Sequence, residues 1–169
     1  MRIIGGKAGG RLLKVPKGLN VRPTPDLVKQ AIFNRLASRI ADACVLELFA
    51  GSGALGLECL SRGARRVVAV ELSSRHAAFI RENLRLAGLE PDRLELRVQD
   101  VFAALGQLAE AGERFDLILA DPPFGPKTRG ARSESLTQKL LDDPRLPRLL
   151  APDGVAVLGH AARDQVEVP

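Results

Sequence analysis

The stretch ADPPF at residues 120–124 combines groups suited to chemistry on an aromatic amine. Asp121 offers a carboxylate oxygen and Pro122 a backbone carbonyl, and both can accept hydrogen bonds from an amino group. An aromatic amine is a poor nucleophile because its lone pair is delocalised, so acceptors aimed at its N–H bonds favour a reactive, pyramidal nitrogen. Pro122 and Pro123 stiffen the loop, and Phe124 offers a face for stacking an extruded base. These four residues are the predicted catalytic set, with a rigid turn capped by Asp121 as the structural alternative.

A second motif, ELFAGSGALG at residues 47–56, predicts a cofactor site. Gly51, Gly53 and Gly56 allow a sharp turn from a strand into a helix and a close approach to a ligand. The same glycines satisfy the GxGxxG pattern of dinucleotide-binding proteins, so they do not identify the cofactor. Glu47 favours S-adenosylmethionine, because a carboxylate there repels a pyrophosphate and attracts a sulfonium and an ammonium. A nucleotide-binding oxidoreductase using NAD remains the alternative.

Acidic residues also end the second and third strand-like segments. Glu71 can accept hydrogen bonds from the two hydroxyls of a ribose, and we expect its neighbour Leu72 in the same site. Asp100 can accept from an adenine amine, with Val101 beside the ring. Each acid also has a simpler interpretation, since Glu71 could be a surface acid and Asp100 the N-cap of a helix.

Strand-like and helical segments alternate through the body of the chain. The strand-like segments are ACVLELF, RRVVAVE, RLELRV, FDLILA and GVAVLG, and the predicted helices lie near residues 54–62, 75–87, 101–111 and 133–149. This order predicts a mostly parallel sheet covered by helices on both faces, with ligands beyond the carboxyl ends of the strands. The expected fold class is α/β, the Rossmann-like fold of class I S-adenosylmethionine-dependent methyltransferases.

The N-terminal segment differs from the body. Within residues 1–23, two short apolar segments flank a glycine-rich stretch, and this pattern predicts a β-hairpin arm. Thr24 as N-cap and Pro25 at the first helical position predict a helix over 26–40. Its expected apolar face consists of Leu27, Val28, Ala31, Ile32 and Leu36. We therefore expect an arm over 1–23 and one methyltransferase domain over 24–169.

The positive charge is concentrated at the N-terminus. Residues 1–39 contain nine Lys or Arg and one acid, whereas the other 130 residues contain sixteen basic and nineteen acidic side chains. The entire net charge of +5 thus belongs to the first segment. Such a block attracts phosphate backbones, although a solvated basic face is the alternative. Nucleic acid is the expected partner.

The sequence gives little support for a membrane protein, a secreted protein or a metal or redox protein. The chain has no apolar run of about eighteen residues and no apolar region typical of a signal peptide. Its two cysteines, Cys44 and Cys59, lack the spacing of metal or redox motifs. We expect a monomeric cytoplasmic enzyme without a metal or a membrane partner.

Together these motifs resemble the RsmD family, bacterial methyltransferases that modify the exocyclic amine of a guanine in 16S ribosomal RNA. The resemblance extends from the N-terminus to about residue 159, through MRIIGGKAGGR, RPTPDLVKQAIFN, LFAGSGALGLECLSRGA, VAVE, RENL and FDLILADPPF. It implies transfer of a methyl group to guanine N2 in 16S rRNA or in the assembling small ribosomal subunit. Another base, or DNA, remains the alternative, because DPPF-like loops serve several amino groups.

The resemblance also assigns residues. The expected cofactor set is Arg22, Thr24, Glu47, Phe49, Gly51, Gly53, Glu71, Leu72, Asp100, Val101 and Asp121, and the roles of Arg22 and Thr24 rest on the resemblance alone. The residues expected to face RNA are Arg2, Lys7, Arg11, Lys14, Lys127, Arg129 and Arg132. One departure is visible: after GVAVLG only HAARDQVEVP follows, whereas this fold usually ends with two further antiparallel strands. We expect a shortened C-terminus and an uncovered sheet edge.

Overall fold

A five-stranded sheet forms the centre of the computed structural model, which describes residues 1–18, 23–124 and 135–169. Its strands are β1 (Cys44–Leu48), β2 (Arg66–Glu71), β3 (Leu94–Val98), β4 (Phe115–Ala120) and β5 (Leu150–Leu158). They lie in the order β3-β2-β1-β4-β5, and every neighbouring pair is parallel. The helices are α1 (Asp26–Arg35), α2 (Ala37–Ile40), α3 (Ala54–Ser61), α4 (Ser74–Ala87), α5 (Val101–Glu110), α6 (Leu136–Asp142) and α7 (Arg145–Arg148).

Both faces of the sheet are covered. Val45 of β1 joins a core cluster with residues of α1, α3 and α4, whereas its neighbour Leu46 joins a second cluster with residues of α5, α6 and α7. Successive side chains of a strand point to opposite faces, so this division places helices on each side. The predicted Rossmann-like α/β architecture is confirmed.

Strand register brings the predicted site residues to one edge. Leu48 at the end of β1 pairs with Val70 of β2 on one side and with Ala120 of β4 on the other. The next residues, Glu71 and Asp121, therefore flank the first turn residue after β1. Because adjacent strands are about 4.8 Å apart, the backbones of these two acids lie about 10 Å from each other.

The first helix differs from its prediction in start and in orientation. It begins at Asp26 with Pro25 at the N-cap position, and no side chain caps it, so the prediction of Thr24 as N-cap is wrong. The predicted apolar face is correct for Leu36 and partly buried Ile32, but it is wrong for Leu27, Val28 and Ala31, which are exposed. Leu27 is 78% exposed, while Lys29 and Phe33 are buried. The buried face of this segment continues through Leu36 and Ile40. Lys29 can lie on this face because the carboxylate of Glu58 pairs with it in the core.

The C-terminal half shows two further differences. The single helix predicted over 133–149 is interrupted within its described part, where α6 ends at Asp142 and α7 begins at Arg145. Pro144 explains the break, since a proline disfavours a helical conformation in the residue before it. Strand β5 starts earlier than predicted, at Leu150, and a register shift opposite Phe115 and Leu117 accommodates the extra residues. Among the described residues no strand follows β5, which is an edge strand.

The N-terminal arm is a minimal hairpin held against the body. Arg2 and Leu12 form an antiparallel bridge, supported by the backbone bonds from Ile3 to Arg11 and from Leu13 to Met1. Ile3, Ala8 and Leu13 are buried in the same cluster as α1 and α3. Across the described ranges, no helix is both long and apolar enough to cross a membrane.

Candidate active site

Asp121 follows β4 at the carboxyl edge of the sheet and is held from two directions. The hydroxyl of Thr24 donates to Oδ2 of Asp121 at 2.7 Å. A side chain added at Gly159 would place its Cβ 2.5 Å from Oδ1 of Asp121, so Asp121 fills the space beside this glycine. Pro122 is buried, whereas Phe124 is 51% exposed. An oriented carboxylate therefore lies three positions before an exposed aromatic ring in the sequence.

The glycine turn after β1 leaves open space. Gly51 has a φ of +56° and Gly53 a φ of +77°, a region that glycine adopts without strain. A Cβ at Gly51 would meet no atom of the described chain within 4 Å. Phe49 has a φ of +56° despite its ring, and such strain costs on the order of 1–3 kcal/mol and is concentrated at functional sites. A ligand can approach the backbone closely at this turn.

Glu47 lies beneath the turn and is 2% exposed. Its Oε1 accepts from the N–H of Leu55 at the start of α3, at 3.2 Å, while its Oε2 has no hydrogen-bond partner among the described residues. Gly56 leaves the room that this carboxyl occupies, since a Cβ there would lie 2.5 Å from Oε2. Burial raises the pKa of Glu47 to about 8, the helical N–H groups oppose the shift, and the charges of Glu71 and Asp121 add to it.

Glu71 connects the turn to the second strand. Its Oε2 accepts from the Gly51 N–H at 2.7 Å, and its Oε1 accepts from the Ser73 N–H at 2.9 Å. His76 lies 3.6 Å from the same Oε1. Since each carboxylate oxygen has two lone pairs, both can still accept hydrogen bonds from a ligand. Beside it, Leu72 is 70% exposed, an apolar surface suited to a ring.

Asp100 caps α5, because its side chain accepts from the Ala103 N–H at 3.0 Å. The N-cap interpretation is therefore confirmed, and the exposed position of Asp100 leaves a second oxygen for a ligand. The side chain of Val101 is 2% exposed and packs in the core. The backbone N–H of Val101 lies at the first position of the helix, where it has no intrahelical acceptor. This N–H is therefore the group of Val101 that is suited to a polar contact.

Acids dominate this edge of the sheet. Glu47, Glu71 and Asp121 come from three adjacent strands, and the last two are close enough to raise the pKa of the first. Among the described residues no Lys or Arg forms an ion pair with any of the three. The charges of Glu71 and Asp121 favour a cationic ligand and oppose a pyrophosphate, whereas Glu47, with its pKa raised to about 8, is mostly protonated near pH 7.

Three of the four arm residues expected to face RNA are paired with acids. Arg2 contacts Asp26 at 3.3 Å, Lys7 contacts Glu90 at 2.5 Å and Lys14 contacts Glu82 at 3.1 Å. Arg11 is exposed. Exposed pairs contribute only about 0–1 kcal/mol to stability, so phosphates can replace the acidic partners. The predicted residues Arg22, Lys127, Arg129 and Arg132 lie outside the described residues.

A buried charge network was missed from the sequence. Lys29 and Glu58 are both fully buried, 3.6 Å apart, and Arg62 donates to Glu58 at 2.9 Å. Glu58 also accepts from the N–H groups of Ile4 and Gly5, each at 2.8 Å. The network joins the arm, α1 and α3. Among the described residues no group of three or more His, Cys, Asp or Glu side chains is arranged to hold a metal ion.

Comparison with known proteins assigns the family. The model of the family described as Conserved hypothetical protein 95 matches residues 1–168. The ribosomal RNA small subunit methyltransferase D of Escherichia coli (strain K12) is 39% identical over 143 residues, which cover 85% of this chain and 67% of that protein. The putative rRNA methyltransferase YlbH of Bacillus subtilis (strain 168) is 34% identical over 169 residues, which cover 100% of this chain and 86% of that protein.

Solved structures agree on the fold. A hypothetical protein of Thermus thermophilus has a TM-score of 0.78 at 32% identity, covering 95% of this chain and 85% of that chain. A putative methyltransferase complexed with SAH has a TM-score of 0.68 at 21% identity, covering 82% of this chain and 36% of that chain, and supports the fold alone. The chain therefore belongs to the family described as Conserved hypothetical protein 95, the RsmD family of rRNA methyltransferases that its motifs resemble.

Proposed function

We propose that this protein transfers a methyl group from S-adenosylmethionine to the exocyclic N2 amine of a guanine in 16S ribosomal RNA. One observation carries the proposal: Glu47, Glu71 and Asp121 come from the carboxyl ends of three adjacent strands, at the edge of the sheet where Gly51 leaves open space and Phe124 is 51% exposed. The carboxylates of Glu71 and Asp121 suit a cationic cofactor, and the acceptors and aromatic ring of residues 121–124 suit an aromatic amine.

The residues present fit the cofactor. Glu47 contributes a buried oxygen without a partner, Glu71 has lone pairs for ribose hydroxyls, and Gly51 leaves room for a ligand. We assign Phe49, Gly53, Leu72, Asp100, Val101 and Thr24 to the surroundings of the same site. When bound, S-adenosylmethionine supplies a methyl carbon whose bond to sulfur breaks, with its electron pair, as the bond to the amine nitrogen forms.

The chain itself orients the amine and accepts charge. Asp121 and the Pro122 carbonyl accept from the two N–H bonds, which favours a pyramidal nitrogen with its lone pair directed at the methyl carbon. The nitrogen becomes positively charged on transfer, and the carboxylate of Asp121 stabilises that charge until a proton passes to it or to solvent. Phe124 stacks on the guanine, and Pro123 limits the motion of the loop.

The substrate assignment rests on the relatives and on charge. The E. coli relative is named as a small subunit rRNA methyltransferase, and the excess basic residues of this chain lie before residue 40. We propose that residues 1–23 act as an RNA-binding arm, with 24–169 as the catalytic domain of a monomeric cytoplasmic enzyme. The partner is 16S rRNA or the assembling small ribosomal subunit.

The test is methyl transfer to unmodified 16S rRNA, with the labelled nucleotide identified by mass spectrometry. Asp121→Ala should lower turnover by a factor of about 100 or more while leaving RNA affinity nearly unchanged, because Asp121 contributes no positive charge. Label at an adenine or a cytosine would contradict the guanine assignment. Tighter binding of NAD than of S-adenosylhomocysteine would contradict the enzyme class.

A further inference from the structure

We propose that Thr24 is a positioning residue that, together with Gly159, fixes the orientation of the Asp121 carboxylate. The proposal rests on the proposed function, in which Asp121 holds the target amine. It gives Thr24 a task different from the cofactor contact implied by family resemblance. It also brings into the site Gly159, the last residue of the strand-like segment GVAVLG, to which the sequence assigned no role.

The hydroxyl of Thr24 is directed at the carboxylate. Oγ1 donates to Oδ2 of Asp121 at 2.7 Å, across 97 positions of sequence and in a partly buried location. A hydrogen bond to an ionised acceptor is roughly twice as strong as one between neutral groups. It also occupies one of the lone-pair sites of the carboxylate, so the remaining sites are the ones offered to an amine.

Gly159 lies beside the carboxylate on its other side and leaves the room that Oδ1 occupies. A Cβ at this residue would lie 2.5 Å from Oδ1 and 3.4 Å from Cγ of Asp121. The glycine backbone is itself fixed, because its N–H donates to the Ala120 carbonyl at 2.7 Å and its carbonyl accepts from Thr137 at 2.7 Å. The terminal torsion of an aspartate is broad and weakly restrained, so contacts on both sides are what define its angle.

Thr24 is itself fixed by a buried anchor. The N–H of Lys29 donates to the carbonyl of Pro25 at 3.0 Å, which places Lys29 one helical turn from Pro25, the residue that follows Thr24. Lys29 is fully buried, donates to the Arg2 carbonyl and lies 3.6 Å from Glu58. The start of α1 is therefore held by the core, and the Thr24 hydroxyl is presented to Asp121 from a rigid support.

Matched substitutions at Thr24 test the hydroxyl. Thr24→Val keeps the side-chain shape without the donor and should lower kcat about 10- to 100-fold, the range for a hydrogen bond to a charged group. The KM for RNA and the Kd for S-adenosylhomocysteine should change less than about twofold, and Thr24→Ser should restore most of kcat. A loss of S-adenosylhomocysteine affinity as large as the loss of kcat would assign the hydroxyl to the cofactor and overturn the proposal.

Substitution at Gly159 tests the other contact. Gly159→Ala should lower kcat by forcing the carboxylate to rotate, whereas Gly106→Ala is the matched control. At Gly106, inside α5, a Cβ meets only the end of the Arg145 side chain, at 3.0 Å, so its kcat should not change. Equal losses in both variants, or no loss in Gly159→Ala, would contradict the role of Gly159.

A spectroscopic readout separates this proposal from the proposed function. The ¹³C signal of the Asp121 carboxyl, assigned with Asp121→Asn, should shift in Thr24→Val and return in Thr24→Ser, with or without substrate. A signal unchanged in Thr24→Val would overturn the positioning role even in an active enzyme. The shift together with inactive wild-type protein on 16S rRNA would instead overturn the proposed substrate while supporting the positioning of Asp121.

Discussion

The backbone N–H of Gly51 donates to Oε2 of Glu71 at 2.7 Å, joining the turn after β1 to the end of β2. This contact connects the two motifs that the sequence places 20 residues apart. The Ser73 N–H donates to the other oxygen at 2.9 Å, so two backbone groups orient the carboxylate. Glu71 therefore both shapes the glycine turn and offers lone pairs to a ligand above it.

Replacing Glu71 should weaken cofactor binding more than it destabilises the fold. Glu71→Gln keeps the volume, but its amide nitrogen must face one of two backbone donors, and the charged acceptor is lost. We expect S-adenosylhomocysteine affinity to fall about 10- to 100-fold, measured by calorimetry, since hydrogen bonds to charged groups contribute about 1.5–3 kcal/mol. The control is Glu113→Gln, which removes an acid that precedes β4, at the opposite edge of the sheet. Equal affinities in the two variants would exclude a cofactor role for Glu71.

The sequence predicted which residues would share one edge of the sheet, because parallel strands constrain where their ends meet. Acids at the ends of successive strands must meet at one edge, so Glu47, Glu71 and Asp121 could be grouped without coordinates. The same rule does not predict that Thr24 and Asp121 are hydrogen-bond partners. Their contact depends on the path from the arm into α1, and no periodicity encodes a hydrogen bond across 97 residues.

The errors in the predicted fold have different physical causes. Lys29 was not part of the predicted apolar face, yet it is buried because Glu58 supplies the opposite charge. Its burial orients α1 so that Leu27 is 78% exposed. The break between α6 and α7 could have been predicted from Pro144. The early start of β5 could not be predicted from the sequence, because it depends on the irregular strand pairing opposite Phe115.

The buried Glu47 should make stability depend on pH in a direction opposite to that of most carboxyls. Burial raises its pKa to about 8 from an ordinary value of 4.5, so between these values the folded state binds more protons than the unfolded state. Its contribution to stability is then fully present below about pH 4.5 and is lost as pH rises to about 8. Glu47→Gln should accordingly gain stability relative to wild type as pH increases through this window.

Urea unfolding of wild type and Glu47→Gln at pH 5, 6.5 and 8 measures the effect. The control is Glu82→Gln, because pairing with Arg85 and Lys14 lowers the pKa of Glu82 to about 2. Its stabilising contribution is lost only below about pH 4.5, so its difference from wild type should stay constant across the window. A constant difference for Glu47→Gln as well would mean that Glu47 is ionised throughout.

The arm should bind RNA more tightly when its acidic partners are removed. Lys7 contacts Glu90 at 2.5 Å, and both side chains are close to half exposed. A phosphate must compete with Glu90 for this lysine, so Glu90→Gln should raise RNA affinity by up to about fivefold, the upper range for an exposed pair. Lys7→Ala should lower RNA affinity and reduce the slope of log affinity against log salt by about one.

Fluorescence anisotropy with a labelled 16S fragment measures the affinity and its salt dependence. Glu113→Gln, which removes the same charge beside Arg66, is the control; an equal gain in affinity there would indicate a general charge effect and contradict a specific role for the arm.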